Sequence, residues 1–121
     1  FPIKGDSMLP VKSGSYIVAR FIEDIRAIKN GKTYIVLSKS EGMVYKRVYS
    51  HIEDNGNLLM VSDNKKYGPY YLPANDVLEI WEFTCSINTQ EYEEHELKIS
   101  SIATMLTQLG VELKELEKSL A

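Results

Sequence analysis

The chain has 121 residues, of which 44% are apolar, 10% aromatic and 26% charged, and its formal net charge at neutral pH is −3. This size fits one domain, or one domain with a short appendage, and the composition excludes a disordered chain, a collagen-like repeat and a disulfide scaffold. The single cysteine, Cys85, cannot form an internal disulfide and favours a reducing compartment, so a cytoplasmic protein is expected. No apolar run approaches the roughly 20 residues of a membrane-spanning helix, and the first residues do not resemble a signal peptide.

The charged residues are unevenly distributed along the chain. Residues 1–90 carry eleven Lys and Arg against ten Asp and Glu, whereas residues 91–121 carry three against seven. Neither part has the basic excess of a phosphate-binding surface, so this chain alone is not expected to bind nucleic acid. Because the sequence begins with Phe1 rather than Met, we expect it to be the C-terminal part of a longer protein or a processed product.

The body of the chain is predicted to be mainly β, because β-branched and aromatic residues cluster between turn signals. The third and fourth strands are predicted to form a hairpin about the Asp54-Asn55-Gly56-Asn57 turn. Residues 64–73, which are rich in Tyr, Gly and Pro, are predicted to be a loop packed over the β body. The predicted strands cover residues 16–22, 33–38, 43–52, 58–63 and 77–87.

After residue 87 the apolar spacing changes to that of a helix, which predicts a long amphipathic C-terminal helix over residues 88–121. Its apolar positions alternate in steps of three and four residues, which is a heptad seam. A self-associating helix, by default a homodimer, is therefore predicted, and a helix packed on its own domain is the alternative. The seam consists of Ile99, Ile102, Leu106, Leu109, Leu113, Leu116 and Leu120.

The segment with the most chemical information is GDSMLP at residues 5–10, considered together with Lys46. Alone, Gly, Asp, Ser and Pro are ordinary turn residues. A serine hydroxyl becomes a nucleophile when a base takes its proton, however, and a lysine can be that base when it is neutral. Lys46 is predicted to lie between Val44 and Val48 on one strand face, where desolvation would lower its pKa. A pair of Ser7 and Lys46 is therefore physically reasonable.

These two motifs, GDSMLP at 5–10 and VYKRV at 44–48, resemble the LexA and phage-repressor family of self-cleaving serine peptidases. Ser62-Asp63-Asn64, followed by Tyr67 and Pro69, Asp76 and a closing apolar strand, agree with the same family. The resemblance covers roughly residues 1–87, and it implies the complex β fold that this family shares with signal peptidases. Residues 1–87 are therefore expected to form a peptidase domain and residues 88–121 an association element.

The resemblance also implies roles for individual residues. Ser7 would be the nucleophile, Lys46 the general base, and the backbone N–H of Ser7 a donor to the developing oxyanion. Gly5 would allow a sharp turn, and Asp6 and Met8 would support the motif. No cofactor or metal ion is expected, because one cysteine and two distant histidines do not form a recognisable ligand set.

The function implied is that of the regulatory and dimerisation domain of a transcriptional repressor, which cuts a linker upstream of the serine in its own polypeptide. Operator DNA would be bound only by an N-terminal helix-turn-helix domain, and the activator would be a recombinase filament on single-stranded DNA. The family cuts at Ala-Gly or Cys-Gly, and neither dipeptide occurs in this sequence. Two alternatives therefore stay open: a non-catalytic dimerisation or effector-binding module with the same fold, and, more distantly, a protease like the signal peptidases.

Overall fold

Six strands form one antiparallel sheet in the part of the chain that the structure, a computed structural model, describes, namely residues 1–89 and 91. The strands are β1 (Tyr16–Ile22), β2 (Lys32–Ser38), β3 (Gly42–His51), β4 (Asn57–Val61), β5 (Tyr70–Pro73) and β6 (Val77–Ile87). Their order across the sheet is β1-β6-β2-β3-β4-β5. The prediction of a mainly β fold is confirmed.

The helical content of the described residues is confined to short turns. A four-residue helix, α1 (Ile52–Asn55), joins β3 to β4 and ends at Gly56, whose φ of +76° is the left-handed conformation that glycine adopts readily. Two 3₁₀ turns, Ile25–Ala27 and Ala74–Asp76, follow β1 and β5. The hydrophobic core is therefore formed mainly by residues of the strands.

The sheet has an apolar cluster on each face, because successive side chains of a strand point to opposite sides. The first cluster consists of Tyr34, Val36, Val48, Leu58, Met60, Leu72 and Ile80, all at most 3% exposed. The second cluster consists of Met8, Ile17, Ile35 and Tyr45.

The N-terminal segment covers the second cluster. The Ile17 N–H donates to the Phe1 carbonyl, and the Ile3 N–H donates to the Ser15 carbonyl, each at 2.8 Å. Met8, which is 2% exposed, then inserts its side chain among the residues of this cluster. The residue next to Ser7 is therefore part of the hydrophobic core.

Two local predictions were wrong. Residues 70–73 form strand β5 rather than part of a loop, because Tyr70–Pro73 pairs with β4 at the sheet edge, where prolines are tolerated. The link between β3 and β4 is the helical turn α1 rather than a tight hairpin turn.

Two further features concern the C-terminal region. Cys85, near the end of β6, is exposed. The predicted helix and its heptad seam lie outside the described residues. Within those residues, no helix is long and apolar enough to span a membrane.

Candidate active site

Ser7 and Lys46, which are 39 positions apart in the sequence, are in direct contact. The Lys46 Nζ lies 2.9 Å from the Ser7 Oγ, within hydrogen-bonding distance. Both side chains line a cavity of about 360 Å³ whose other lining residues are mainly apolar. That cavity is lined by Phe1, Pro2, Ile3, Lys4, Ser7, Met8, Ile35, Met43, Val44, Tyr45 and Lys46.

The cavity lies beside the half of β3 that has a neighbouring strand on one side only. Among the described residues, β3 pairs with β2 from Gly42 to Val48, but with β4 only from Arg47 to His51. Lys46 is therefore the last residue of β3 before the ladder with β4 begins. The turn that carries Ser7 contacts Lys46 at this position.

The Lys46 amine lies in an environment that favours its neutral form. By alternation, Lys46 shares a face of β3 with Val44 and with the fully buried Val48. Desolvation by this partial burial lowers the pKa of Lys46, whereas the negative charge of Glu41 opposes the shift. The direction agrees with the expectation from the strand pattern, and it increases the fraction of amine able to accept a proton.

The turn that carries Ser7 depends on Gly5 and on two backbone hydrogen bonds. Gly5 has a φ of +80°, a conformation that other residues adopt at a cost. The Leu9 N–H donates to the Asp6 carbonyl at 3.4 Å, and the Val11 N–H donates to the Met8 carbonyl at 2.8 Å. Neither of these two hydrogen bonds uses the N–H of Ser7.

A second segment, residues 62–67, holds the same turn from the other side. The Asn64 N–H donates to the Ser7 carbonyl, and its side-chain amide donates to the Asp6 carbonyl, both at 2.9 Å. The Tyr67 hydroxyl donates to the Asp6 carboxylate. Asp6 therefore contributes to the site by tying the turn to residues 62–67, and these contacts were not predicted.

Arg47 and Asp63 fix the start of this segment to β3. The Arg47 guanidinium donates to both carboxylate oxygens of Asp63, at 2.7 and 2.8 Å, and to the Gly31 carbonyl at 2.6 Å. The Arg47 guanidinium holds the pKa of Asp63 below its usual range. The Asp63 N–H also donates to the Met8 Sδ at 3.3 Å, so both segments converge on one core side chain.

Ser62 is the functional candidate that was not recognised from the sequence. Its hydroxyl lies 2.9 Å from the Lys46 Nζ, the same distance as Ser7, and the residue is 2% exposed. Ser62 was noted only as part of the Ser62-Asp63-Asn64 segment, without a role. All five residues singled out in advance, Gly5, Asp6, Ser7, Met8 and Lys46, do lie together.

A serine hydroxyl in contact with a partly desolvated lysine is compatible with a class of protein, the serine peptidases in which a lysine activates the serine. Comparison with protein-family models agrees with this class, because the model described as Peptidase S24-like matches residues 1–83. The chain belongs to this family, which is the LexA and phage-repressor peptidase family, and the resemblance stated from the sequence is confirmed. A comparison with curated proteins found no match.

Proposed function

We propose that this chain is a serine peptidase in which Ser7 is the nucleophile and Lys46 the general base, and that its substrate is a linker bond upstream of Ser7 in its own polypeptide. The observation that carries the proposal is the 2.9 Å contact between the Lys46 Nζ and the Ser7 Oγ. That distance allows direct proton transfer between the two groups.

The chemical steps follow from this geometry. Neutral Lys46 takes the proton of the Ser7 hydroxyl while the Ser7 Oγ forms a bond to the carbonyl carbon of the substrate. The tetrahedral intermediate collapses, the C–N bond breaks, and the Lys46 ammonium returns the proton to the leaving amine. Water then attacks the Ser7 ester and gives its proton to Lys46. When the ester bond breaks, Ser7 takes that proton back from Lys46, and a carboxylic acid is released, which loses its proton to the solvent.

Stabilisation of the oxyanion is assigned to the backbone of the Ser7 turn. The N–H of Ser7 is not used to close the turn, and the carbonyl of Ser7 is held by the Asn64 N–H. A donor held in this way needs no rearrangement when negative charge develops, which is the condition for effective electrostatic stabilisation.

The biological role proposed is that of the regulatory part of a cytoplasmic transcriptional repressor. The family membership supports this role. Dimers that present two helix-turn-helix domains bind two half-sites of an operator, so cutting the linker would lower DNA affinity and relieve repression. Self-association is assigned to the heptad seam at 99–120, and a recombinase filament is the proposed activator.

A test that does not require the natural substrate is acylation of Ser7 by p-nitrophenyl acetate, followed by intact mass and peptide mapping. We expect wild type to gain one acetyl group at Ser7, at a rate that rises with pH and levels off above the pKa of Lys46. Because that pKa is lowered, the inflection should lie below that of an ordinary lysine. Ser7→Ala should abolish the modification, and Lys46→Met should slow it by roughly 10³-fold.

Matched controls come from the same sheet. Ser50→Ala on β3 and Lys32→Met on β2 remove the same groups at positions outside the cavity and should leave the rate unchanged. Equal rates in wild type and Lys46→Met would contradict the proposal.

A second candidate function, a non-catalytic association module, is favoured by one observation. Tyr16 and Val18 on β1 lie opposite Ile87 and Cys85 on β6, and all four side chains are exposed. Exposed apolar clusters of this kind are typical of interaction surfaces. If Ser7 proves unreactive in every variant while the chain self-associates, this second function replaces the first.

A further inference from the structure

Ser62 provides a second hydroxyl group in contact with the proposed base, Lys46. Arg47 pairs with Val61 in the ladder between β3 and β4, so continuing that register by one residue places Ser62 across from Lys46. The two Nζ hydrogen bonds of Lys46, to Ser7 and to Ser62, are both 2.9 Å long. The amine is therefore located between two hydroxyl groups, of which only one belongs to the nucleophile.

The chemistry of a neutral amine makes this second contact informative. Neutral lysine has one lone pair and two N–H groups, and it can deprotonate Ser7 only when the lone pair points at the Ser7 hydroxyl. Lysine has a flexible four-carbon stem, so its direction must be fixed by other contacts. An N–H donated to the Ser62 Oγ leaves the lone pair free to face Ser7.

Ser62 is itself held in place. It is 2% exposed, and the next residue, Asp63, is anchored by two hydrogen bonds from Arg47. Asn64, one residue further, is hydrogen-bonded to the Ser7 carbonyl. The hydroxyl therefore has a fixed position relative to both Lys46 and the Ser7 turn.

We propose that Ser62 is a positioning residue that orients the Lys46 amine toward Ser7 and accepts a hydrogen bond from the ammonium formed when Lys46 takes the proton. The inference rests on the proposed function of Ser7 and Lys46, and it adds a third side chain to that site. Ser62 acts through Lys46 and has no contact with a substrate in this scheme.

The test compares Ser62→Ala, Ser62→Cys and Ser62→Thr in the complete chain. Two readouts are used for each variant: the pH profile of Ser7 acetylation by p-nitrophenyl acetate, and the titration of Lys46 followed by the NMR shift of its Cε. Cysteine leaves no cavity, because its sulfur is larger than the serine oxygen, but it is a weak hydrogen-bond acceptor, so it separates loss of the hydroxyl from creation of a cavity. Ser15→Ala, at an equally buried serine whose hydroxyl makes no hydrogen bond to Lys46, is the matched control.

We expect Ser62→Ala and Ser62→Cys to lower the high-pH plateau of the acetylation rate by about 10- to 100-fold, because the Lys46 amine is no longer oriented toward Ser7. Both should also lower the pKa of Lys46, since the ammonium loses an acceptor. Ser62→Thr keeps the hydroxyl and should restore the plateau to within about threefold of wild type. Ser15→Ala should match wild type in both readouts.

The two proposals can fail separately. If wild type is not acetylated in a Lys46-dependent way, the proposed function fails, and the titration still shows whether Ser62 contacts the amine. If Ser62→Ala and Ser62→Cys retain both the wild-type plateau and the wild-type pKa of Lys46, the role of Ser62 is overturned. A Ser62→Thr variant that folds but behaves like Ser62→Ala would overturn it as well.

Discussion

The two faces of the sheet differ in how each holds its half of the proposed site. Lys46 alternates with Tyr45 along β3 and therefore faces the side of the first cluster, where it is next to Val48. Ser7 is carried by a turn whose neighbouring residue, Met8, is buried in the second cluster. The base and the nucleophile are thus supported by clusters on opposite faces of the sheet. Their side chains come into contact at the part of β3 that is not paired with β4.

Lys46 and Ser7 are therefore positioned in two different ways, one by a strand ladder and the other by a loop turn. The backbone of Lys46 is fixed by the ladder with β2, in which it pairs with Tyr34, so no single side chain determines its position. The Ser7 turn has no ladder and depends on one core side chain and a few loop hydrogen bonds. Substitutions beneath the turn should therefore affect reactivity, whereas equally disruptive substitutions beneath the sheet should affect stability alone.

The largest effects are expected from a matched pair of methionines, Met8 in the second cluster and Met60 in the first, which are 2% and 0% exposed. Each change to alanine should lower the free energy of unfolding by about 2–5 kcal/mol, because buried apolar volume is lost and a cavity remains. Only Met8→Ala should also slow acetylation of Ser7, by more than about tenfold, since the turn loses its anchor. Urea unfolding and acetylation rates in native buffer measure the two effects. A similar loss of reactivity in Met60→Ala would contradict the distinction between the faces.

An intermediate effect is expected at two glycines with left-handed backbone, Gly5 (φ +80°) and Gly56 (φ +76°). A Cβ at either position would meet no atom within 4 Å, so the cost of alanine is conformational only, about 1 kcal/mol of stability in each case. Gly5→Ala should also slow Ser7 acetylation about tenfold because the turn is displaced, whereas Gly56→Ala should leave the rate within about twofold of wild type. If the two variants react at equal rates, the conformation of Gly5 does not control the position of Ser7.

The sequence was sufficient to predict those parts of the molecule in which one local signal dominates. Strand β1 was predicted with its observed ends, and β6 likewise, because each is a run of β-branched and aromatic residues. Strand β5 was missed because it has only four residues, ends in Pro73 and follows Gly68-Pro69, which are loop signals. In this strand, pairing with β4 outweighs the local signals.

The role of Ser62 could not be predicted, because it depends on the register of the β3–β4 hairpin. A two-residue turn at Asn55-Gly56 would pair Asp54 with Asn57 and bring Lys65 opposite Lys46. The helical turn α1 instead pairs His51 with Asn57 and brings Ser62 opposite Lys46. Register follows loop geometry, and a difference of three residues changes both the neighbour and the face. The contact between Ser7 and Lys46 was foreseen from the paired motifs, but its third partner required the structure.

The smallest effect is expected at Glu41, the acidic residue that raises the pKa of Lys46 against the effect of burial. In Glu41→Gln the ammonium loses this favourable charge, so the pKa of Lys46 should fall further and the acetylation profile should move to lower pH. More of the amine is then neutral at any pH on the rising part of the profile. The rate there should increase by up to about threefold, while the plateau stays unchanged.

Glu53→Gln in α1 is the matched control, because Glu53 does not affect the pKa of Lys46 and its profile should overlay that of wild type. A rate that falls with rising pH, and that is lower in Glu41→Gln than in wild type at the same pH, would mean that the protonated form of Lys46 is the reactive one. That result would exclude Lys46 as a general base even if its contact with Ser7 is essential. The sign of this small change therefore tests the direction of proton transfer, which the larger effects at Met8 and Gly5 do not address.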